Sequence, residues 1–197
     1  FDSFKSYQGY RLFAVDGSDL LIPHNPNNEQ TYFQSTPNSK GFNMIHLNAM
    51  YDLCNKVYID ACVQLGRKEN EYKALNDMVD ESPLKNEKVI IIADRGYESY
   101  NVFAHIQQKG WKFLIRVKDV NSKGIVSNLG LPEIGEFDQQ VARILTRKQT
   151  KIVKSRPDIY KFMPNNSNFD YLESLDQLYY PMTFRVVRIK IAEGNYQ

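Results

Sequence analysis

VIIIADRGYES, residues 89–99, decides how the rest of the chain is read. Four large aliphatic residues lead through Ala93 to an acid-base pair, Asp94-Arg95, and then to Gly96. An unbroken β-branched run fits a central strand covered on both faces better than an edge strand. Such a strand ends here by delivering a carboxylate. On its N-terminal side Asn70 can cap a helix, and Tyr72, Leu75, Met78 and Val79 recur at spacings of three and four until Pro83 stops them. On its C-terminal side Ser99 is the expected cap of a second helix, with Phe103 and Ile106 inside and Gly110 ending it. Phe113, Leu114, Ile115 and Val117 then make another strand. The spacing predicts helix, strand, helix, strand.

Further upstream, residues 12–15 and 20–22 are short apolar runs separated by Asp16-Gly17-Ser18, which predicts two strands joined by a tight turn. Residues 23–41 are rich in Asn, Pro, Ser and Gln and read as a loop. Odd positions are apolar from Ile45 to Leu53 and again from Val57 to Leu65, with Cys54-Asn55-Lys56 between them. Period two on both sides of a turn predicts an antiparallel hairpin with one covered face. The expected fold class is α/β, a mixed sheet flanked by helices. After Val120 the texture changes. Residues 121–182 hold short β-like pieces at 141–145 and 151–154 and are read as an inserted β-rich subdomain. Residues 184–191 alternate again and are expected to rejoin the first sheet. The expected divisions are therefore 1–120, 121–182 and 183–197.

Hydrophobic residues at 42% and aromatics at 13% support a folded core rather than a disordered chain. Cys54 and Cys62 give no disulfide framework and are read as reduced thiols of a cytosolic protein. No stretch approaches the roughly 20 apolar residues of a membrane span, so no membrane partner is expected. The chain opens on Phe1 and stops after Gln197, and is read as a piece of a longer protein.

Asp16 and Asp94 both stand at expected strand ends, where ligand chemistry collects in open α/β sheets. If the strands are neighbours, the two like charges repel unless a cation neutralises them. Magnesium or manganese suits such a site, because hard ions prefer oxygen ligands. Gly17 and Gly96 beside the acids would let a bulky substrate approach. A plainer reading also stands: Asp-Gly is a common turn, and Asp94-Arg95 a solvated ion pair.

The string VDGSDL (15–20) resembles the first acid motif of DDE transposases of the insertion-sequence-four type. HLNAMYDLCNKVYIDACVQLGRKENEYKAL (46–75) is similar to the middle of that family, and ADRGYESYNVFAHIQQKGWKFLIRVK (93–118) resembles its second acid motif. FRVVRIKIAEGNYQ (184–197) looks like the strand preceding its last catalytic helix. The resemblance covers most of the chain outside 121–182, where the family carries a variable β-rich insertion. It implies a ribonuclease-H-like fold, two Mg2+ or Mn2+ ions in the intact enzyme, and DNA strand cleavage and transfer. Asp16 and Asp94 match the first two acids of the triad, as catalytic residues and metal ligands. The third is a Glu on a helix with a Tyr-Arg-Glu-Lys signature, and that signature is absent here. Glu193 is the nearest substitute but precedes Gly194-Asn195, a turn. The chain by itself is therefore expected to be inactive. The implied partners are transposon ends and target DNA, with a homodimer in the intact protein, and the implied location is the bacterial cytoplasm at the nucleoid.

The net charge is only +2, but it is unevenly spread. Arg143, Arg147, Lys148, Lys151, Lys154 and Arg156 fall in one block with no acid between Asp138 and Asp158, which leaves −4 for everything else. A basic β-ribbon of this kind can neutralise DNA phosphates, although a solvated hairpin would look the same. Arg95 can touch a phosphate or hold a neighbouring carboxylate. Asp19 and Glu98 read as turn or cap residues and Asp60 as a solvent-facing one. His24, His46 and His105 share no metal-ligand spacing. Two rival readings remain open. One is a non-catalytic DNA-binding or protein-association module derived from a transposase. The other is an unrelated metal-dependent nuclease, which would cleave without the missing helix.

Overall fold

The structure is a computed structural model and describes residues 4–172, 177–192 and 195–196. It falls into two compact units, Phe1–Tyr97 with His105–Ile115, and Glu98–Ala104 with Arg116–Gln197.

The first unit is built on β1 (Arg11–Ile22), β2 (Tyr32–Phe33), β3 (Phe42–Asp52), β4 (Val57–Leu65), β5 (Val89–Ala93) and β6 (Lys112–Ile115). Their order is β2-β3-β1-β5-β6, with β4 also on β3. The β1, β3 and β4 pairings are antiparallel, whereas β5 is parallel to both β1 and β6. This mixed sheet, flanked by helices, is the α/β arrangement expected of a ribonuclease-H-like core. β5 is central, as its aliphatic run required. Val89, Ile91 and Ala93 bury one face, while Ile90 and Ile92 are half-buried on the other.

Helix α1 (Glu71–Glu81) starts where Asn70 accepts a hydrogen bond from the Lys73 backbone N–H at 3.0 Å. Its buried stripe includes Leu75, Met78 and Val79. A 3₁₀ turn, Arg95–Tyr97, precedes α2 (Tyr100–Gln108). The Ser99 carbonyl receives the Phe103 N–H at 3.1 Å, and Gly110 takes the positive φ of +78° that turns the chain out of α2. Trp111, 3% exposed, meets Phe13 edge-on at 6.0 Å and packs this corner onto the sheet.

In the first unit three expectations change. The Asp16-Gly17-Ser18 turn is not formed. β1 runs straight through it, because β3 offers a continuous ladder, Asp16 opposite Ala49, Gly17 opposite Asn48 and Ser18 opposite Leu47. The hairpin exists as predicted, but the more deeply buried face of β3 is the even one, His46, Asn48, Met50 and Asp52, with Asn43 also buried at the start of the strand. Its apolar odd face is only half-covered. Hydrogen bonds compensate this burial at Asn43, which donates to Thr31 and the Asn25 carbonyl at 2.9 Å, and at His46 and Asp52, whereas the Asn48 Oδ1 has no partner among the described residues. The loop at 23–41 also contributes a short strand, β2.

The second unit carries β7 (Phe137–Thr146), α3 (Lys151–Ser155), β8 (Tyr160–Phe162), β9 (Tyr180–Arg188), β10 (Lys190–Ala192) and β11 (Asn195–Tyr196). β9 pairs antiparallel with β7 in a separate sheet of order β8-β7-β9, and β10 pairs with β11. The strand expected at 183–197 to complete the first sheet therefore belongs to the second. Its alternation matches β7, and Tyr180, Met182, Phe184 and Val186 bury the shared face with Val141 and Leu145. The expected β piece at 151–154 is instead the one-turn helix α3, capped by Thr150, whose hydroxyl accepts from the Val153 N–H at 3.3 Å.

At the β3–β4 turn, Asp52 is fully buried and accepts hydrogen bonds from Arg11 Nε at 2.9 Å, the Cys54 and Asn55 backbone N–H groups at 2.9 and 3.0 Å, and Asn55 Nδ2 at 2.9 Å. Arg11 also reaches Glu87 at 2.8 Å, so it ties β1 to the hairpin and to the segment entering β5. Burial alone would raise the Asp52 carboxyl pKa, but the Asn55 and Arg11 hydrogen bonds outweigh it and hold it below the usual carboxylate range. The stability it confers is therefore complete above the unfolded Asp value of about 4 and is lost as the pH falls below it. Asp52→Ala, which leaves the buried Arg11 guanidinium only its Glu87 partner, is expected to cost about 3 kcal/mol in urea unfolding at pH 7. It should also flatten the acid limb of the stability profile.

Candidate active site

Asp16 and Asp94 are brought together by register. The last parallel pair between β1 and β5 is Val15 with Ala93, and each acid is the next residue in its chain. Adjacent strands lie about 4.8 Å apart, so the two carboxylates leave neighbouring backbones at the same level. β5 ends at Ala93, whereas β1 continues, so beyond this level β1 loses its partner on that side. Both acids are exposed. Asp16 Oδ1 accepts the Gly17 N–H at 3.0 Å and Asp94 Oδ1 accepts the Gly96 N–H at 2.6 Å, which leaves each carboxylate with lone pairs to spare.

Glu71, the first residue of α1, joins them, and nothing in the sequence reading pointed to it. A Cβ placed on Gly17 would collide with Glu71 Oε1 and lie 2.5 Å from His46 Nε2. A Cβ placed on Gly96 would lie 2.8 Å from Asp94 Oδ1 and 3.6 Å from Glu71 Oε2. The two glycines thus border the Glu71 carboxylate, one beside Asp16 and the other beside Asp94. Strand alternation turns Asp16 away from the face that carries Val15 and Gly17. Asp16 and Glu71 consequently approach the end of β5 from the two faces of the sheet.

His46, 6% exposed on β3, holds Glu71 from behind. Its Nε2 is 3.2 Å from Glu71 Oε1, and its Nδ1 is 2.8 Å from Asp19 Oδ1 and 3.5 Å from Glu69 Oε2. Burial lowers the imidazole pKa, but Asp19, Glu69 and Glu71 more than reverse this, and the net shift is upward. Asp19, His46 and Glu69 also offer ligand atoms within 4.8 Å of one another. The reading of Asp19 as a turn residue is therefore corrected: it lies on β1, and strand pairing sets it opposite His46, which is a strand residue as expected.

Tyr97, 1% exposed, completes the floor. Its hydroxyl has no hydrogen-bond partner among the described residues. Burial first, then the charges of Glu71, Asp16 and Asp94, push its pKa well above the ordinary value, so it remains a proton donor. An unpaired buried hydroxyl is costly unless a ligand or water satisfies it.

The basic block divides. Arg147 does not present its charge outward: its guanidinium donates to the carbonyls of Pro164, Ser167, Phe169 and Leu172 at 2.5–3.4 Å and ties that loop to β7. Arg143 donates to the Ala142 and Leu129 carbonyls at 2.8 and 3.0 Å. Arg156 forms an exposed pair with Asp158 at 3.0 Å. Lys148, Lys151 and Lys154 are exposed. Lys148, Lys154, Arg143 and Lys161 line a cleft of about 310 Å³ together with Tyr160 and Phe162. Arg95 is exposed on the 3₁₀ turn of the first unit. Glu98 is structural, accepting the Lys118 N–H at 2.7 Å and the Ile125 N–H. Asp60 faces solvent, as expected, and Glu193 lies outside the described residues.

A profile of the family described as "Transposase DDE domain" matches residues 7–179, and the chain belongs to that family. Membership implies use of a divalent cation. The donors here fit one: they are carboxylate oxygens around a cradle walled by two glycines and floored by an unpaired hydroxyl. Among solved structures, the piggyBac transposase synaptic complex with hairpin DNA is similar at 20% identity and a TM-score of 0.38, over 57% of this chain and 24% of that one. The chain thus spans about a quarter of the length of that transposase. None of the curated proteins matches the sequence. No helix among the described residues is long and apolar enough to cross a membrane.

Arg147→Ala removes the donor to four loop carbonyls and is expected to lower stability by about 1–3 kcal/mol, measured by thermal or urea unfolding. Lys148→Ala on the exposed side should stay within about 0.5 kcal/mol.

Proposed function

We propose that this chain is the core of a bacterial DNA transposase of the insertion-sequence-four type, in which Asp16 and Asp94 hold Mg2+ or Mn2+. The observation that supports the reading is the register of Val15 with Ala93, from which Asp16 and Asp94 each follow by one residue. A bound divalent cation supplies Lewis-acid stabilisation of a phosphodiester oxygen and lowers the pKa of the attacking water or hydroxyl. Asp16 and Asp94 neutralise and orient it. Gly17 and Gly96 keep side chains out of the approach, and exposed Arg95 stands beside Asp94 to meet a phosphate. In the intact protein, water cuts the transposon end and the freed 3′ hydroxyl attacks target DNA. The family's third acid is a Glu within a Tyr-Arg-Glu-Lys signature, which does not occur in these 197 residues. Lys148, Lys151 and Lys154 are the DNA-contacting residues of the basic block, with Arg143 at the cleft wall. Arg147 serves the fold. The intact protein acts as a homodimer on transposon ends, in the cytoplasm at the nucleoid.

Two measurements test this. Manganese titration by calorimetry or electron paramagnetic resonance should show binding in the millimolar range or tighter, lost in Asp16→Asn and in Asp94→Asn. Absence of binding in the unmodified chain would favour a non-catalytic module. Replacing Lys148, Lys151 and Lys154 together by Gln should reduce the log-log salt slope of duplex DNA binding by about 2–3, and an unchanged slope removes the patch from the DNA interface.

A further inference from the structure

We propose that Glu71, from the first turn of α1, is a further ligand to the divalent cation held by Asp16 and Asp94. The inference rests on the reading of those two acids as a metal site, and extends it to a residue of a different element. Three independent observations support it. First, the Glu71 carboxylate sits between the residue after Asp16 and the residue two after Asp94: only the lack of a side chain at Gly17 leaves it room, and a Cβ on Gly96 would lie 3.6 Å from its Oε2. Second, its two oxygens are differentiated. Oε1 faces His46 Nε2 at 3.2 Å, while Oε2 is turned toward the Asp94 side, where the Gly96 position is flanked by Asp94 Oδ1. Third, the Tyr97 hydroxyl, in a residue 1% exposed, finds no partner among the described residues, although α1 packs against its 3₁₀ turn.

A hard divalent cation at the end of β5 would neutralise like charges that approach it from both faces of the sheet and would draw their oxygens together. His46 offsets only part of that charge, and it does so from the far side, through Oε1. It fixes the orientation of Glu71 and leaves Oε2 open, as an outer-shell partner does for a ligating carboxylate. The Tyr97 hydroxyl is placed to donate to a ligating oxygen or to a water on the cation. The ligand class is a hard divalent cation taking oxygen donors, Mg2+ or Mn2+. The family's later glutamate enters from another element, so Glu71 adds to that acid rather than replacing it.

The test is Mn2+ titration of the whole 197-residue chain, followed by electron paramagnetic resonance or calorimetry without DNA. Glu71→Gln is expected to weaken binding at least tenfold. Gly17→Ala, which keeps every acid but pushes the Glu71 carboxylate aside, is expected to weaken it severalfold. Should Glu71→Gln fail to fold, as judged by melting and circular dichroism, Gly17→Ala decides. Affinity within twofold of the unmodified chain in Glu71→Gln, or in Gly17→Ala where that variant decides, with binding lost in Asp16→Asn and Asp94→Asn, overturns the role of Glu71 and leaves the two-acid site standing. No binding by the unmodified chain overturns both.

Discussion

The candidate site depends on the parallel pairing of β1 with β5. Five residue pairs, from Arg11 with Val89 to Val15 with Ala93, fix the two strands in register. A slip of one residue would turn every side chain of β5 to the opposite face and carry Asp94 away from Asp16. The slip is prevented on the buried side. Phe13, Val15, Val89, Ile91 and Ala93 pack that face at 8% exposure or less, and the opposite face tolerates the half-buried Ile90 and Ile92. The Arg11–Asp52 ion pair secures the other end of β1 against the hairpin turn. Packing that looks purely structural therefore positions two charges that nothing else brings together.

A second constraint is the unequal length of those strands. β5 stops at Ala93, and β1 continues for seven residues beyond the last shared pair. The open flank this leaves is where α1, the 3₁₀ turn and the strand end converge. Glycine at positions 17 and 96 keeps the flank empty of side chains, and Glu71 enters it. The polar face of β3 then makes sense. His46 is buried where a core strand would ordinarily place an aliphatic, because it supports Glu71 and pairs with Asp19 across the strands. Elements that read as scaffold, the hairpin and the first turn of a helix, thereby contribute to the site.

The second unit is organised differently. Its basic residues look alike in sequence yet serve different ends, because a guanidinium can satisfy several carbonyls at once and an ammonium on a flexible stem stays solvated more readily. Arg147 anchors a loop through four acceptors, Arg143 braces two, and the three lysines remain at the surface. Runs of like charge therefore overstate the number of groups available to a polyanion, and only the carbonyl environment of each residue separates the two kinds.

The sequence by itself determined the elements whose signals are local. The aliphatic run at 89–92 is a central strand, Asn70 and Ser99 begin the helices, Gly110 ends one, and alternation draws the hairpin. The motifs around Asp16 and Asp94 also pointed to the family. The tertiary structure decided what depends on distant partners. β3 pairing straightened the expected turn at Asp16-Gly17-Ser18, β7 claimed the strand at 180–188, and Thr150 capped a helical turn where a strand was expected. Glu71, His46 and Tyr97 lie 55, 30 and 81 residues from Asp16 along the chain. No spacing rule joins them, since their meeting depends on helix docking, strand register and the early end of β5, all set by long-range packing.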